Sequence, residues 1–415
     1  MPKQTPLLGV YLAKNPVLAT LLFLLDLFTF PCKLFLKRKP RNSTLPQKIL
    51  LSNLGHLGDV VIATSVLPVL KAAFPQTKIG FLVSSSSAEV VSKHPLVDQV
   101  HLLDHWKTNR EKLGFFQKLK KYYRMRKQAL KEIKQEKYDL AIDLYFYFPN
   151  SIPLLWKAKI PRRLGFVSGG FKNLLTDAIF FKNKNQYASE YYLELLKEIP
   201  ISAAFLSKLS VCLKEPLIED KRLLPLEFEK KGYLIMHMGA GADLKKWPEE
   251  RWKKLAGHLI EKGFFLAFTG KGNQEMASIF NITKNFSQAA NLCNQLNFDE
   301  LQFVVQNAHG VVCSDSLVAH LAGAYNVPSV ILFTGLNNHH HWTPPVAFSQ
   351  PLIKKMDCFP CFKRKGCLEM SCLKDITVEE VEESLEIILK QEKSFSKDQP
   401  ELKLGSLKKS IFIKY

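Results

Sequence analysis

The loop Gly55-His56-Leu57-Gly58-Asp59 joins an apolar run to the start of a helical pattern. Backbone amides at a helix N-terminus can hold an anion, so Gly55, His56 and Gly58 are candidates for an acceptor or phosphate loop. Asp59 has two interpretations that the spacing supports equally. It is either a helix N-cap or a general base at the edge of a cleft.

A second cluster, Cys313-Ser314-Asp315-Ser316, also lies between a predicted strand and a predicted helix, with His320 further along that helix. If Asp315 or Ser316 caps the helix, the free amides point toward a diphosphate. Lys245 stands in a strand-to-helix loop, where its charge could neutralise a leaving phosphate without a metal. The ordinary alternatives are a core or surface histidine for His320 and a solvated loop lysine for Lys245.

Four of the eight cysteines fall between residues 358 and 372. Four thiols at this spacing, beside Lys and Arg that favour thiolates, predict a structural zinc site. The alternatives are a reduced, metal-free loop or two disulfides, and a cytoplasmic location disfavours disulfides. The run 339–341 of three histidines is interpreted as a flexible cleft loop rather than a metal site. The candidate zinc ligands are Cys358, Cys361, Cys367 and Cys372.

These loops belong to two series of alternating strands and helices, which indicate parallel sheets with right-handed crossovers. The sequence does not favour a dinucleotide site, because the second strand ends in Ser84–Ser87 instead of the acidic residue that would hold a ribose. The fold class is therefore α/β, with two Rossmann-like domains facing each other across a cleft. The predicted strands are 48–53, 79–83, 100–103, 139–144, 233–238, 264–270, 309–314 and 329–335, and the predicted helices include 60–74, 247–263, 298–308 and 317–326.

The composition supports a folded protein with an anionic partner. The chain has 415 residues, a hydrophobic fraction of 47% and a net charge of +20. Its length predicts two or three domains, its apolar content excludes a disordered chain, and its charge suggests nucleic acid, a phosphorylated ligand or an acidic membrane. No nucleic-acid-binding motif is present, so nucleic acid is not expected as a partner.

An apolar run at 17–30, interrupted by Asp26, is shorter than a spanning helix requires. Basic residues follow it, so we expect an in-plane membrane helix that faces anionic headgroups. The alternative is a helix buried against the body of the protein.

A second basic region, 107–137, is either a solvated helix face or a docking surface for a membrane or a phosphorylated acceptor. The polar, Lys-rich chain after 393 is expected to be loosely ordered.

Taken in order, several motifs resemble the family 9 glycosyltransferases, the ADP-heptose:lipopolysaccharide heptosyltransferases and their relatives. They are SNLGHLGDVV, KAAFP, HPLVDQVH, MGAGADLKKWPEERW, TGKGNQE, VVCSDSLVAHLAGAYNVPSVILFTG and the cysteine cluster. The resemblance covers roughly residues 48–390. It implies the GT-B fold, with the acceptor bound by the first domain and the nucleotide-sugar by the second.

The resemblance also implies roles for single residues. Asp59 matches the catalytic base of the family's G-D motif, and Lys245 matches the lysine that contacts the donor phosphates. Asp315 and His320, with Ser316 between them, match the D-x-G-x-x-H donor loop. Glu275, with Gln274 as the alternative, lies near the acidic residue that contacts the ribose.

The sequence departs from this pattern at two places. Leu317 stands where the donor loop usually has Gly, and Ala240 and Gly241 occupy positions where some members have hydroxyl residues. These departures leave the transferase class intact but make the identity of the sugar less certain.

A single displacement needs one base, Asp59, and stabilisation of the departing diphosphate by Lys245 and the helix start near Ser316. No pair of carboxylates of the D-x-D type appears in the donor loops, so no catalytic cofactor is required and inversion is expected.

The resemblance implies an ADP-sugar donor, a lipid-linked or lipopolysaccharide core acceptor, and a peripheral location on the cytoplasmic face of the bacterial inner membrane. The alternatives are a transferase for another nucleotide-sugar or a non-catalytic protein that binds anionic lipid or nucleic acid. The predicted segments are 1–45 (membrane-associated), 46–220 (acceptor domain), 221–392 (nucleotide-sugar domain with the cysteine cluster) and 393–415 (basic tail).

Overall fold

In the computed structural model the chain divides into two compact units, residues 1–214 and 215–415. The structure describes residues 10–12, 16–34, 45–218, 223–361, 366–367 and 369–398. Most of the predicted tail at 393–415 therefore lies outside the described residues, although the last helix continues as far as Asp398.

Unit 1 is built on a parallel sheet of six strands in the order β3-β2-β1-β4-β5-β6. The central strands are almost wholly buried, which explains why they are continuous apolar runs in the sequence. The strands are β1 (Lys48–Asn53), β2 (Lys78–Val83), β3 (Gln99–Leu102), β4 (Leu140–Asp143), β5 (Arg162–Phe166) and β6 (Asp177–Ile179).

Helices precede and connect these strands. The helix predicted over 60–74 is in fact two helices, because Pro68 lacks an amide hydrogen and its ring would crowd the carbonyl of Thr64 in a continuous helix. The helices of unit 1 are α1 (Pro16–Leu34), α2 (Leu57–Ala63), α3 (Val66–Ala73), α4 (Ala88–Val91), α5 (Phe115–Glu136), α6 (Ile152–Lys157), α7 (Tyr192–Leu196) and α8 (Ala203–Leu206).

Unit 2 has a second parallel sheet, in the order β12-β11-β10-β7-β8-β9. Its strands are β7 (Tyr233–His237), β8 (Phe265–Thr269), β9 (Ala289–Asn291), β10 (Gly310–Ser314), β11 (Ser329–Leu332) and β12 (Ser349–Leu352). Its helices are α9 (Leu226–Lys231), α10 (Glu249–Glu261), α11 (Asn273–Thr283), α12 (Phe298–Gln306), α13 (Leu317–Ala324), α14 (Ser371–Lys374) and α15 (Val378–Asp398).

Both sheets have the same topology when the strands of each are counted from its own first strand. The first and fourth strands lie side by side, and from them the chain proceeds outward in opposite directions. In open α/β sheets, ligands bind outside the carboxyl ends of the strands at this switch point. The loops that follow β1 and β4 in unit 1, and β7 and β10 in unit 2, are therefore where function is expected.

Candidate functional site

In unit 1 the loop after β1 places Asp59 in the first turn of α2. His56 is the residue that precedes this helix, and Asp59 is its third residue, so the N-cap interpretation of Asp59 is wrong. The Asp59 carboxylate instead turns back and accepts a hydrogen bond of 2.7 Å from the His56 amide. The Gly55 amide donates to the Asn53 side chain at 2.9 Å. Two of the amides proposed to hold an anion thus already have partners within the chain.

Gly55 is required by the close approach of its neighbours. A Cβ added there would lie 2.6 Å from Oδ2 of Asp59 and 2.7 Å from the ring of Tyr145, far inside van der Waals contact. The absence of a side chain lets the ring of Tyr145 and the carboxylate of Asp59 share one side of the loop. Any larger residue at position 55 would displace the candidate base.

A group of tyrosines surrounds Asp59. Burial raises the pKa of each of these hydroxyls, and the neighbouring Asp59 carboxylate raises it further. The tyrosines therefore remain protonated at neutral pH and can donate hydrogen bonds. Sequence reasoning missed this group, although the aromatic run after β4 was a visible signal. The group consists of Tyr145, Tyr147, Tyr187 and Tyr192.

Asp143 is the last residue of β4. Sequence reasoning did not single it out either. Its carboxylate accepts hydrogen bonds from the amide and the hydroxyl of Ser151, at 2.9 and 3.0 Å, and from the amide of Tyr145 at 3.1 Å. Burial nevertheless raises the pKa of Asp143 to about 6. Asp143 therefore shapes the turn that carries Tyr145, one of the tyrosines next to Asp59.

In unit 2 the structure brings Lys245 and Asp315 together at the switch point. The Lys245 ammonium lies 2.5 Å from Oδ2 of Asp315, and both side chains are largely buried. Lys245 follows β7 and Asp315 follows β10, so two loops from adjacent strands meet here. Asp315 thus pairs with Lys245, and Ser316 occupies the N-cap position of α13.

The start of α13 contains a buried hydroxyl without a hydrogen-bond partner. Among the residues that the structure describes, the Ser316 hydroxyl oxygen makes no hydrogen bond, and the Ser316 side chain makes no capping bond to α13. A buried polar atom of this kind costs free energy unless a ligand or water satisfies it. The helix N-terminus also carries partial positive charge, so the position suits an oxygen-rich anionic ligand.

His320 lies one turn further along α13 and is buried. Burial lowers its pKa to about 4; the Lys245 charge also lowers it, whereas Asp315 opposes the shift. His320 is therefore neutral at pH 7 and acts as a hydrogen-bonding group, not as a cation. Its ring centroid lies 6.4 Å from that of Trp342.

Glu275 lies in the first turn of α11, across from the loop that follows β7. Its carboxylate accepts a hydrogen bond of 3.0 Å from the Lys271 amide and lies 4.0 Å from the Lys246 ammonium. A Cβ at Gly239 would lie 2.5 Å from Oε2 of Glu275. Glu275 therefore lies over the loop after β7, and Lys246, which follows Lys245 in the sequence, is its cationic neighbour.

The four cysteines of the predicted zinc site are free thiols. Burial raises the pKa of Cys372, and the thiols of Cys361, Cys367 and Cys358 raise it further, so the four lie within electrostatic range of one another. In the part of the chain that the structure describes, however, no three His, Cys, Asp or Glu side chains are placed to hold a metal ion. As placed, these residues do not fit a zinc ion, and the zinc site stays a prediction.

The histidine run at 339–341 is partly buried. It forms a short helical turn in which His339 and His341 are buried. The His339 ring centroid lies 5.7 Å from that of Phe359, in the cysteine-rich loop. The flexibility expected of this run stays a prediction.

Comparison with known proteins shows which protein family this sequence matches. A family model described as Glycosyltransferase family 9 (heptosyltransferase) matches residues 126–371, more than half of the chain. Lipooligosaccharide heptosyltransferase 2 of Haemophilus influenzae is 26% identical over 375 residues, which cover 82% of this chain and 99% of that protein. Lipopolysaccharide heptosyltransferase 2 of Escherichia coli is 23% identical over 375 residues, or 84% of this chain and all of that protein.

Solved structures show the same fold. A family 9 glycosyl transferase from Veillonella parvula superposes with a TM-score of 0.64 at 22% identity, over 83% of this chain and 97% of that one. The ADP-heptose lps heptosyltransferase II of E. coli superposes with a TM-score of 0.62 at 20% identity, over 83% and 99%. The predicted α/β, GT-B fold class is confirmed.

Proposed function

The chain belongs to glycosyltransferase family 9, and on that premise we propose that it transfers a heptose, or a closely related sugar, from an ADP-sugar to a lipopolysaccharide core acceptor. The observation that carries the proposal is the Lys245–Asp315 pair at the start of α13. The relatives named as heptosyltransferases also match over nearly their whole length. Since the family is one of enzymes, the alternative of a non-catalytic lipid- or nucleic-acid-binding protein is not favoured.

The donor diphosphate binds where Lys245, the amides at the start of α13 and the hydroxyl of Ser316 converge. Before the donor arrives, Asp315 holds the Lys245 ammonium in place at 2.5 Å. The diphosphate then competes with Asp315 for Lys245, and the Ser316 hydroxyl gains the hydrogen bond that it lacks. As the glycosidic bond breaks, negative charge grows on the phosphate, and the fixed positive charge stabilises it. No metal is needed for this step.

Asp59 is the general base of the proposed reaction. It takes the proton from the acceptor hydroxyl while that oxygen attacks the anomeric carbon from the face opposite the diphosphate. One displacement with one base inverts the configuration at that carbon. The four tyrosine hydroxyls around Asp59 remain protonated, so they orient the acceptor without competing for its proton. Glu275 is proposed to contact the ribose of the donor.

Titration with a panel of nucleotide-sugars tests the donor assignment. We expect ADP-sugars to bind and UDP- or GDP-sugars to bind at least about tenfold more weakly. Lys245→Ala should weaken donor affinity and turnover together, because its charge meets phosphate in both the ground and the transition state. The control is Lys254→Ala, which removes only a solvent-exposed pair with Glu379. A UDP-sugar that binds best, with Lys245→Ala weakening it, would favour the transferase for another nucleotide-sugar.

We also propose that the enzyme works as a peripheral protein on the cytoplasmic face of the inner membrane, where a lipid-linked acceptor would be presented. The support is the apolar, exposed face of α1 and the eight Lys and Arg residues of α5, set against two Glu. A structural zinc held by the four cysteines stays a prediction from the sequence, because the described side chains are not placed to hold it, and its test is given below. Such an ion would stabilise the cysteine-rich loop and take no part in the transfer.

A further inference from the structure

Helix α1 has two faces of opposite character. By length and composition it is apolar enough to cross a membrane. The residues of its inner face, Ala19, Leu22, Asp26 and Thr29, recur every three or four positions and are buried. The outer face is strongly exposed and apolar, with Val17 at 74%, Leu24 at 51% and Phe28 at 83% exposure. The buried inner face fits the interpretation of a helix packed against the protein, whereas the membrane interpretation of the exposed outer face stays a prediction.

Asp26 fastens the inner face to unit 1. Although it lies in the middle of an apolar helix, it is only 3% exposed. Its carboxylate accepts hydrogen bonds from the Tyr11 hydroxyl at 2.7 Å and from the Lys172 amide at 2.9 Å. Its backbone carbonyl accepts a further bond of 2.6 Å from the Asn173 side chain. We call these four residues, Tyr11, Asp26, Lys172 and Asn173, the Asp26 latch.

The Asp26 latch is incompatible with a helix that spans a bilayer. Nineteen residues form a helix of about 28 Å, close to the roughly 30 Å of a hydrocarbon core. Asp26 lies near the middle of that length, so a spanning helix would draw the loop around Lys172 and Asn173 into the bilayer midplane. Burying those polar groups there would cost several kcal/mol for each one left unsatisfied. If the latched helix meets a bilayer, it must therefore lie along the surface of that bilayer.

The charge around α1 indicates which surface covers its outer face. Lys33 lies in the last turn of the helix, and the sequence continues with Lys37, Arg38, Lys39 and Arg41. Apolar residues beside a basic cluster are typical of helices that bind anionic lipid headgroups. A second protein chain that buries an apolar face needs no such cluster of positive charge.

We propose that α1, latched through Asp26, lies in the plane of an anionic lipid bilayer with Val17, Leu24 and Phe28 inserted. This inference rests on the peripheral location proposed above and extends it, because it specifies which face of unit 1 meets the lipid. The Asp26 latch holds the helix rigidly on unit 1. The bilayer therefore fixes the orientation of the Asp59-bearing unit relative to a membrane-bound acceptor.

Tryptophan placed along the outer face measures the depth of the helix directly. Val17→Trp, Leu24→Trp and Phe28→Trp are each mixed, as full-length protein, with vesicles in which roughly a third of the lipid is phosphatidylglycerol. Quenching by lipids brominated at different depths is then compared with that of the wild type, which supplies the background of native tryptophans. An in-plane helix gives all three positions the same depth. A spanning helix would place positions 17 and 28 about 16 Å apart in depth, and that result would overturn the proposal.

Vesicle binding of charged variants tests whether the outer face is what binds. Leu24→Glu with Phe28→Glu should reduce partitioning by at least about tenfold, because two inserted apolar side chains are lost. Phe280→Glu is the matched control, since Phe280 is comparably exposed at 58% but lies in unit 2. Unchanged binding of the double variant, or a wild-type dimer that the double variant abolishes, would overturn the proposal. Neither readout depends on sugar transfer, so an incorrect donor or acceptor would leave the result unaffected.

Discussion

At the scale of single residues, the carboxylate of Asp59 has one observed structural contact and one proposed chemical role. It accepts the His56 amide at 2.7 Å and is proposed to take the acceptor proton. Asp59→Asn separates the two, because the Asn side-chain oxygen can still accept that amide. We expect kcat to fall by roughly 10²–10⁴-fold, the usual contribution of a general base, while donor affinity and thermal stability stay close to wild type.

The control for Asp59→Asn is Asp98→Asn, since the Asp98 carboxylate also accepts a backbone amide, that of Ile79 at 2.8 Å. That variant should keep full turnover. Near-wild-type kcat in Asp59→Asn would remove the residue from the mechanism and leave it a structural role at the start of α2.

The sequence allows the candidate residues of each single loop to be predicted, but it does not predict the contacts between loops. Asp59, Lys245 and Asp315 stand out because each lies where a strand is joined to the following helix. Their partners come from other loops of the same sheet, and a linear pattern does not show that Lys245 meets Asp315 or that Tyr187 lies beside Asp59. Sequence spacing predicts which residues are candidates for a site, whereas the topology of the sheet determines which of them are in contact.

At the scale of secondary-structure elements, the Asp26 latch should contribute measurably to the stability of unit 1. Asp26→Leu leaves the Tyr11 hydroxyl and the Lys172 amide without their buried acceptor. We expect the free energy of unfolding in urea to fall by about 2 kcal/mol or more. Leu24→Ala, on the outer face of the same helix, should change it by less than about 0.5 kcal/mol. Equal effects of the two substitutions would mean that α1 is not fastened through Asp26.

The cysteine-rich loop gives a second prediction at this scale. If the loop closes on zinc, purified protein should carry about one metal ion per chain, because four thiolates complete a tetrahedral shell. Cys361→Ser should release the metal and lower thermal stability. Cys212→Ser, outside the cluster, should retain it. Elemental analysis of the purified chains makes the measurement, and fully active wild-type protein without metal would rule out the site.

Elements with a continuous apolar pattern were predictable, and polar or interrupted ones were not. Strand β5 begins with two arginines, and its buried Arg163 is tolerated because the guanidinium donates to the carbonyl of Leu174 at 2.8 Å. Strand β12 contains Pro351 and lies at the edge of its sheet, where one missing amide hydrogen is harmless. In both cases a tertiary contact or an edge position overrides the local pattern, and nothing in the local sequence reveals it.

At the scale of the whole molecule, we expect buried histidines to contribute to the loss of stability in acid. His94 accepts the Leu96 amide at Nδ1, and its Nε2 lies 3.2 Å from the Cys212 carbonyl, so the neutral ring satisfies both partners. Burial lowers the pKa of His94 to about 4, and Lys214 adds to the shift. Between pH 6.5 and 4 the unfolded chain binds a proton at this site and the folded chain does not. Stability is therefore lost as the pH falls through this range.

We expect His94→Gln to flatten that loss by roughly 2 to 3 kcal/mol between pH 7 and pH 4.5. Urea unfolding at several pH values measures it. The control is His309→Gln, which alters an exposed histidine instead. A wild type and a His94→Gln variant with parallel pH dependence would show that His94 titrates alike in the folded and unfolded chains.

The sequence separation within the Asp26 latch has a consequence for synthesis of the chain. Asp26 and Lys172 are 146 residues apart, so at 5–20 residues per second the ribosome makes the acceptor first and its donor roughly 7 to 30 seconds later. During that interval both faces of α1 are unshielded, and the nascent helix has the length and apolarity that would let it enter a membrane outright. Slow codons between the two positions would lengthen the time in which the bilayer competes for this helix with the protein's own body.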